Sequence, residues 1–137
     1  IHSWCEGRPL RYLGFGGDRL QVRDALHPQD LARLLVQQMQ AGAGTADQPR
    51  LCHVSGGLQS SFSLAELSAW CRARFGGGEE PARDGSDRAL DVPWLILDSA
   101  LAQQTWGWTP QISRDDLFEG IAQHAEAHPD WISLSAA

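Results

Sequence analysis

The chain has 137 residues, 11 basic against 17 acidic side chains for a formal net charge of −6, and 42% hydrophobic residues. That is the length of one folded domain, able to bury roughly two thirds of the surface its unfolded form exposes. The acidic balance excludes an electrostatic footprint for a nucleic-acid backbone or an anionic membrane, and no apolar run reaches the roughly 18 residues that cross a bilayer.

Pro9 opens a short apolar strand, Leu10 to Leu13, that ends in a glycine turn at Gly14, Gly16 and Gly17. Gln21 to Leu26 has extended character. Pro28 then suits the first position of a helix, where its fixed φ and missing N–H cost nothing, and Leu31, Leu34, Leu35 and Met39 fall on one face. Ala41 to Pro49 reads as a small-residue loop, followed by a short strand, Leu51 to Val54, that stops at Gly56 and Gly57. Ser63 and Glu66 form a capping box, with Phe62 and Leu67 as its hydrophobic staple. Leu64, Leu67, Cys71 and Phe75 mark one helical face up to Gly76.

Gly76 to Asp87 is glycine-rich and charged, which predicts a mobile surface loop. The apolar run Val92 to Leu97 predicts a strand, and Asp98 or Ser99 caps a short helix ending at Gly107. Ile112 and Leu117 staple a last helix around Ser113 and Asp116; its core face carries Leu117, Phe118, Ile121 and Ala125, and it ends near Pro129. Short strands alternating with three or four amphipathic helices define a small α/β or α+β domain.

Most single motifs have an ordinary structural explanation. Cys5, Cys52 and Cys71 are odd in number and far apart, which points to free thiols rather than disulfides or a zinc cluster. Gly14 to Gly17 follows a strand but completes neither GxGxxG nor GxxxxGK[ST], so it reads as a tight turn. His124 and His128 stand at i and i+4 without HExxH or a nearby third ligand, and Ser55 before Gly56 makes no nucleophile elbow. Trp106 and Trp108 read as packing for the last helix. Arg23 and Arg88 carry more information, because each lies in an extended or loop segment and offers a planar fork matched to phosphate oxygens. Nothing resembles a signal peptide, so the protein is expected in the cytoplasm.

The run PLRYLGFGGDRLQVRDALHPQDLARLL resembles the segment that opens the substrate half of extended short-chain dehydrogenase/reductases acting on nucleotide sugars. It is most similar to the CDP-paratose 2-epimerase (CDP-tyvelose epimerase) group. The resemblance continues through LCHVSGG, SLAEL, RALDVPWLILDSALAQQTWGWTP and the closing helix with HPDW, covering nearly the whole chain in order. It implies the C-terminal lobe of such an enzyme and a CDP- or UDP-linked sugar as partner. The diphosphate would be held by Arg23 in QVRD and by Arg88, with the acid Asp91 three residues later accepting from ribose hydroxyls. Tyr12, on the strand beside the base, and Gln21, near the phosphates or sugar, are further contacts it implies. Arg83 with Asp87 is a rival pair; Arg88 keeps the family spacing to Asp98 and Ser99.

Such enzymes hold NAD on an N-terminal Rossmann domain and use the Tyr of YxxxK as base. Every basic residue here is Arg, Tyr12 is the sole Tyr, Gly16 stands four residues after it, and the chain opens at Ile1 with Met39 its only Met. Residues 1–137 are therefore expected to be the substrate-binding domain of a longer enzyme, without catalytic residues, NAD or turnover of their own. The alternative is a free-standing interaction module, homo-oligomeric through the surface a missing Rossmann half would leave bare.

Overall fold

A computed structural model describes residues 1–42, 48–77, 79–86 and 88–135. Residues 43–47 of the expected small-residue loop, and Asp87 of the rival arginine pair, lie outside them. In chain order the elements are α1 (His2–Cys5), β1 (Arg11–Tyr12), β2 (Val22–Asp24), α2 (Pro28–Ala41), β3 (Ser61–Ser63), α3 (Leu64–Phe75), β4 (Ala82–Arg83), β5 (Trp94–Leu95), α4 (Ala100–Trp106), α5 (Arg114–Ala127) and α6 (Trp131–Ser135). This is a small α+β fold. β1 and β4 pair in parallel, Arg11 with Ala82 and Tyr12 with Arg83, and a second sheet has the order β3-β2-β5.

The chain separates into two compact units, each discontinuous in sequence. One contains Ile1–Val22, Phe62–Trp94 and Phe118–Ala137; the other contains Arg23–Ser61 and Leu95–Leu117. The single domain expected from length gave no sign of this, because neither unit is a continuous stretch in which composition could shift.

In the second unit, His27 caps α2 by accepting from the Gln29 N–H, and Pro28 sits at the first turn as its rigid φ predicts. Leu34, Ala102 and Trp108 form the core, with Leu26, Cys52, Val54 and Trp106 packed around them. Asp30, 0% exposed, ties the unit together. Its carboxylate accepts from the backbone N–H groups of Gln111 (2.9 Å) and Ile112 (3.2 Å) and from Arg33, while its carbonyl accepts from Trp108 Nε1 (2.8 Å). Trp108 therefore locks onto α2 and α4 rather than serving the last helix.

In the first unit, the Ser63–Glu66 capping box forms in both directions and Gly76 ends α3 in the left-handed conformation. Phe118 packs edge-to-face on Phe62 (4.9 Å) and Trp70 (5.3 Å). Arg74 of α3 forks onto Glu119 and Glu126 of α5, with four N···O contacts of 2.8 to 3.1 Å. Hydrogen bonding from Arg74, and then from Gln123, holds the Glu119 carboxyl below its usual range.

Several elements differ from expectation. Leu51–Val54 joins no strand among the described residues, and Val92–Leu97 contributes only Trp94 and Leu95. The charged loop after Gly76 contains β4, whose Ala82 N–H donates to the Leu10 carbonyl (2.9 Å). Among the described residues the short helical segments α1 and α6 add to the expected helices; they are too short to show a period. On α2 only Leu34 of the expected apolar face is buried, and on α5 Ala122 takes the place of Ile121 in the core.

Asp30→Ala removes the buried acceptor of two part-buried backbone donors and should lower stability by about 1 to 3 kcal/mol in urea denaturation followed by near-UV circular dichroism. A second expectation concerns acid. Because the folded Glu119 carboxyl is lowered from 4.5, its contribution is complete above that value and is lost as pH falls through the lower one. Glu119→Gln should flatten the acid limb of the thermal-stability profile in that window alone.

Candidate functional site

Two of the candidate residues of the first unit, Gln21 and Asp91, meet at the turn that follows β1. Gly14, Phe15, Gly16, Gly17 and Arg19 all have positive φ (79°, 47°, 63°, 72° and 69°), so the backbone there is held in conformations that side-chain-bearing residues avoid. Two of the glycines are required by close approach. A Cβ on Gly14 would stand 2.5 Å from Asp91 Oδ2 and 3.3 Å from Gln21 Nε2. One on Gly17 would stand 3.0 Å from Arg83 Cβ and 3.1 Å from Arg83 Cα and Asp84 N.

Gln21 is 5% exposed and braces this turn, its Nε2 donating to the carbonyls of Leu13 (2.8 Å) and Gly14 (3.3 Å). Both partners only accept, so the amide orientation is fixed. Its Oε1 is buried with no protein hydrogen-bond partner among the described residues. Asp91 stands over Gly14 with Oδ1 accepting from the Val92 N–H (2.9 Å). Asp84, at the end of β4, is held below the usual carboxylate range by hydrogen bonds from the Ser86 side chain and backbone, and by Arg11.

Gln21 and Asp91 thus meet at Gly14. Arg88 is exposed, three residues before Asp91, and makes no ion pair among the described residues. Tyr12 is 5% exposed, its hydroxyl donates to Ser68 Oγ (2.6 Å), and Arg19 covers its ring at 5.6 Å. Its side chain is therefore core, and only its strand adjoins the turn. Arg23, half-buried on β2, belongs to the second unit. There Asp24 accepts from the Gly57 N–H (3.1 Å), and a Cβ on Gly56 would overlap the Ala25 carbonyl at 1.9 Å. Arg19 and Ser68 were not anticipated: a lone Arg after a glycine turn and a Ser inside a helix carry no spacing signal.

Other reactive groups are accounted for structurally. Burial pushes the Cys71 thiol up, which keeps it protonated and unreactive. Ser55 binds the Gly57 N–H and the Ser99 side chain rather than a histidine. The His124 and His128 rings lie 4.4 Å apart, tilted by 41°, and no group of three metal-ligating side chains occurs among the described residues.

No protein-family model matches the sequence, and no curated protein matches it. Solved structures do. A UDP-glucose 4-epimerase from Thermotoga maritima, with UDP-glucose, is 20% identical over 92% of this chain and 37% of its own, with a TM-score of 0.74. A UDP-glucuronic acid 4-epimerase from Bacillus cereus, in complex with UDP-glucuronic acid and NAD, is 16% identical over 92% of this chain and 38% of its own (TM-score 0.71). A UDP-glucose-4-epimerase from Stenotrophomonas maltophila, with bound NAD and formylated UDP-arabinopyranose, is 22% identical over 94% and 39% (TM-score 0.74). The chain therefore has the fold of part of an extended short-chain dehydrogenase/reductase epimerase, and spans well under half the length of these proteins.

The residues present do not fit NAD or the tyrosine–lysine pair that works with it. The sequence has no Lys, its one Tyr hydroxyl donates to Ser68, and the glycine turn at Gly14 opens only the three-residue 3-10 turn Phe15–Gly17, not an α-helix on which a pyrophosphate could rest.

Gly14→Ala combines a backbone of φ 79° and ψ 155° with a Cβ driven into Asp91. It should destabilise the chain by about 2 kcal/mol or more in thermal unfolding. Gly16→Ala, whose Cβ meets nothing within 4 Å, should cost distinctly less.

Proposed function

We propose that residues 1–137 are the substrate-binding C-terminal lobe of an NAD-dependent nucleoside-diphosphate-sugar epimerase or dehydratase of the cytoplasm. The supporting observation is a fold match over 92% of the chain to an epimerase solved with UDP-glucose, joined to the arginines of QVRD and RALD in that order. The preferred nucleotide is CDP, after the paratose 2-epimerase resemblance, with UDP as the alternative.

In this reading, as the family resemblance implies, Arg23 and Arg88 each offer a guanidinium fork to the diphosphate, and the Asp91 carboxylate accepts from the ribose hydroxyls. Gln21 acts as a positioning residue, because its amide fixes the turn over which Asp91 stands. The strand of Tyr12 lies along the base. The lobe binds and orients, which is its share of catalysis. Hydride transfer and proton abstraction belong to residues this chain lacks, so alone it turns nothing over.

Isothermal titration with CDP- and UDP-sugars tests the reading. Saturable binding is expected at millimolar concentration or better, with Arg23→Ala and Arg88→Ala each weakening it about tenfold, the cost of one charge-assisted contact. A folded chain that binds neither nucleotide sugar overturns the reading. Unchanged affinity in both variants overturns the diphosphate assignment.

A further inference from the structure

Arg19 is bent into a conformation that its side chain disfavours. Its φ is 69°, where a residue carrying a Cβ is found roughly tenfold less readily than glycine. The bend decides how the glycine turn leaves for α3. The Arg19 carbonyl accepts from the Ala65 N–H (3.0 Å) and the Gln21 carbonyl from the Leu64 N–H (3.2 Å), two donors that open the helix and have no acceptor inside it. Gln21, whose amide braces Leu13 and Gly14, therefore sits where Arg19 aims it.

Arg19 is held by an alternation of rings and charges. Its guanidinium lies 5.6 Å from the centre of the Tyr12 ring and donates to one oxygen of the Glu80 carboxylate. The other oxygen of Glu80 takes Arg72, which lies 6.0 Å over the Trp4 ring. Both rings are buried, and Tyr12 is fixed further through Ser68 (2.6 Å). Glu80 stands two residues before β4, which is paired to β1. A single exposed ion pair contributes little. This carboxylate is shared, each guanidinium has a ring beneath it, and without the carboxylate the two guanidinium groups repel.

We infer that Glu80 is a positioning residue: with the Tyr12 ring it holds Arg19 at positive φ, and so sets the turn at which Gln21 and Asp91 meet. Neither Arg19 nor Glu80 touches the nucleotide sugar. Their influence on binding runs through the backbone and, as an influence on binding, rests on the proposed function. An ion pair that only fastened the surface would make the opposite demand at position 19. Glycine there would be worse than alanine, because it adds backbone freedom. Where the pair holds a strained backbone, glycine is the better residue, because it takes φ 69° without a clamp.

Backbone amide exchange of Leu64 and Ala65, followed by NMR in the 137-residue chain, separates the two. Arg19→Ala and Glu80→Gln should each speed exchange about tenfold, the factor by which the positive-φ conformer is disfavoured. Arg19→Gly should exchange like the parent chain, and combined with Glu80→Gln it should restore the lost protection. Glycine no better than alanine at position 19, a comparison that needs no change at Glu80, overturns the inference. So does unchanged protection in Glu80→Gln. Isothermal titration with CDP- and UDP-sugars should follow the same order, affinity falling about tenfold in Arg19→Ala and Glu80→Gln and returning in both glycine variants. Unchanged affinity in an Arg19→Ala chain that has lost the Ala65 protection overturns the positioning role. The expected exchange pattern in a chain that binds no nucleotide sugar supports the clamp on Arg19 and overturns the proposed function alone.

Discussion

The second unit depends on a buried carboxylate. Asp30 is removed from solvent, an expensive placement for a charge unless every lone pair is answered. It is answered by two backbone N–H groups more than eighty positions away, by Arg33 one turn along, and by the first turn of α2, whose dipole favours an anion. The Trp108 indole bonds to the carbonyl of the same residue. Two distant segments, Arg23–Ser61 and Leu95–Leu117, thus become one unit around a single side chain. That anchoring sets the side of α2 that carries Leu34 inward and leaves the stripe from Leu31 to Met39 outside.

The first unit is organised by close backbone approach instead of charge burial. Gly14 and Gly17 let the turn lie against Asp91 and against β4, and Gln21 pins the carbonyls of Leu13 and Gly14, the latter also accepting from the Gly17 N–H (2.9 Å). Strain at Arg19 persists because neighbours fix it: its guanidinium is held by Glu80 and over the Tyr12 ring. On the other side of α3, Arg74 clamps α5 through two carboxylates. The turn is therefore a rigid platform, and a site built on it needs little reorganisation.

What was legible in the sequence was local. The capping box at Ser63, the Ser113–Asp116 cap of α5, Pro28 at the start of α2 and the glycine stops at Gly76 and Gly107 each depend on residues within one turn of one another. The family likeness names Gln21 and Asp91 separately as ligand contacts; that their side chains meet at Gly14 depends on the fold. Non-local features stayed hidden. β4 exists because Leu10 offers a carbonyl some seventy residues earlier, and Asp30 looks like any first-turn acid until Gln111 and Ile112 arrive. The segment 51–54 is the reverse case, an apolar run that reads as a strand but belongs to no strand among the described residues.

The contrast between a rigid turn and an exposed arginine bears on how strongly the lobe can bind by itself. On the proposed reading, Asp91 is held over a turn that Gln21 braces before any ligand arrives, so its contacts come at small entropic cost. Arg88 is exposed and unpaired among the described residues, so fixing its guanidinium on a phosphate sacrifices up to about 2 kcal/mol of rotamer freedom. In water that sacrifice consumes much of what one charge-assisted hydrogen bond returns. Covering the site strengthens the same contact by lowering the local dielectric and excluding competing water. On the proposed reading, the affinity of the isolated lobe is therefore a lower bound, and a partner domain raises it without adding a direct contact to the phosphates.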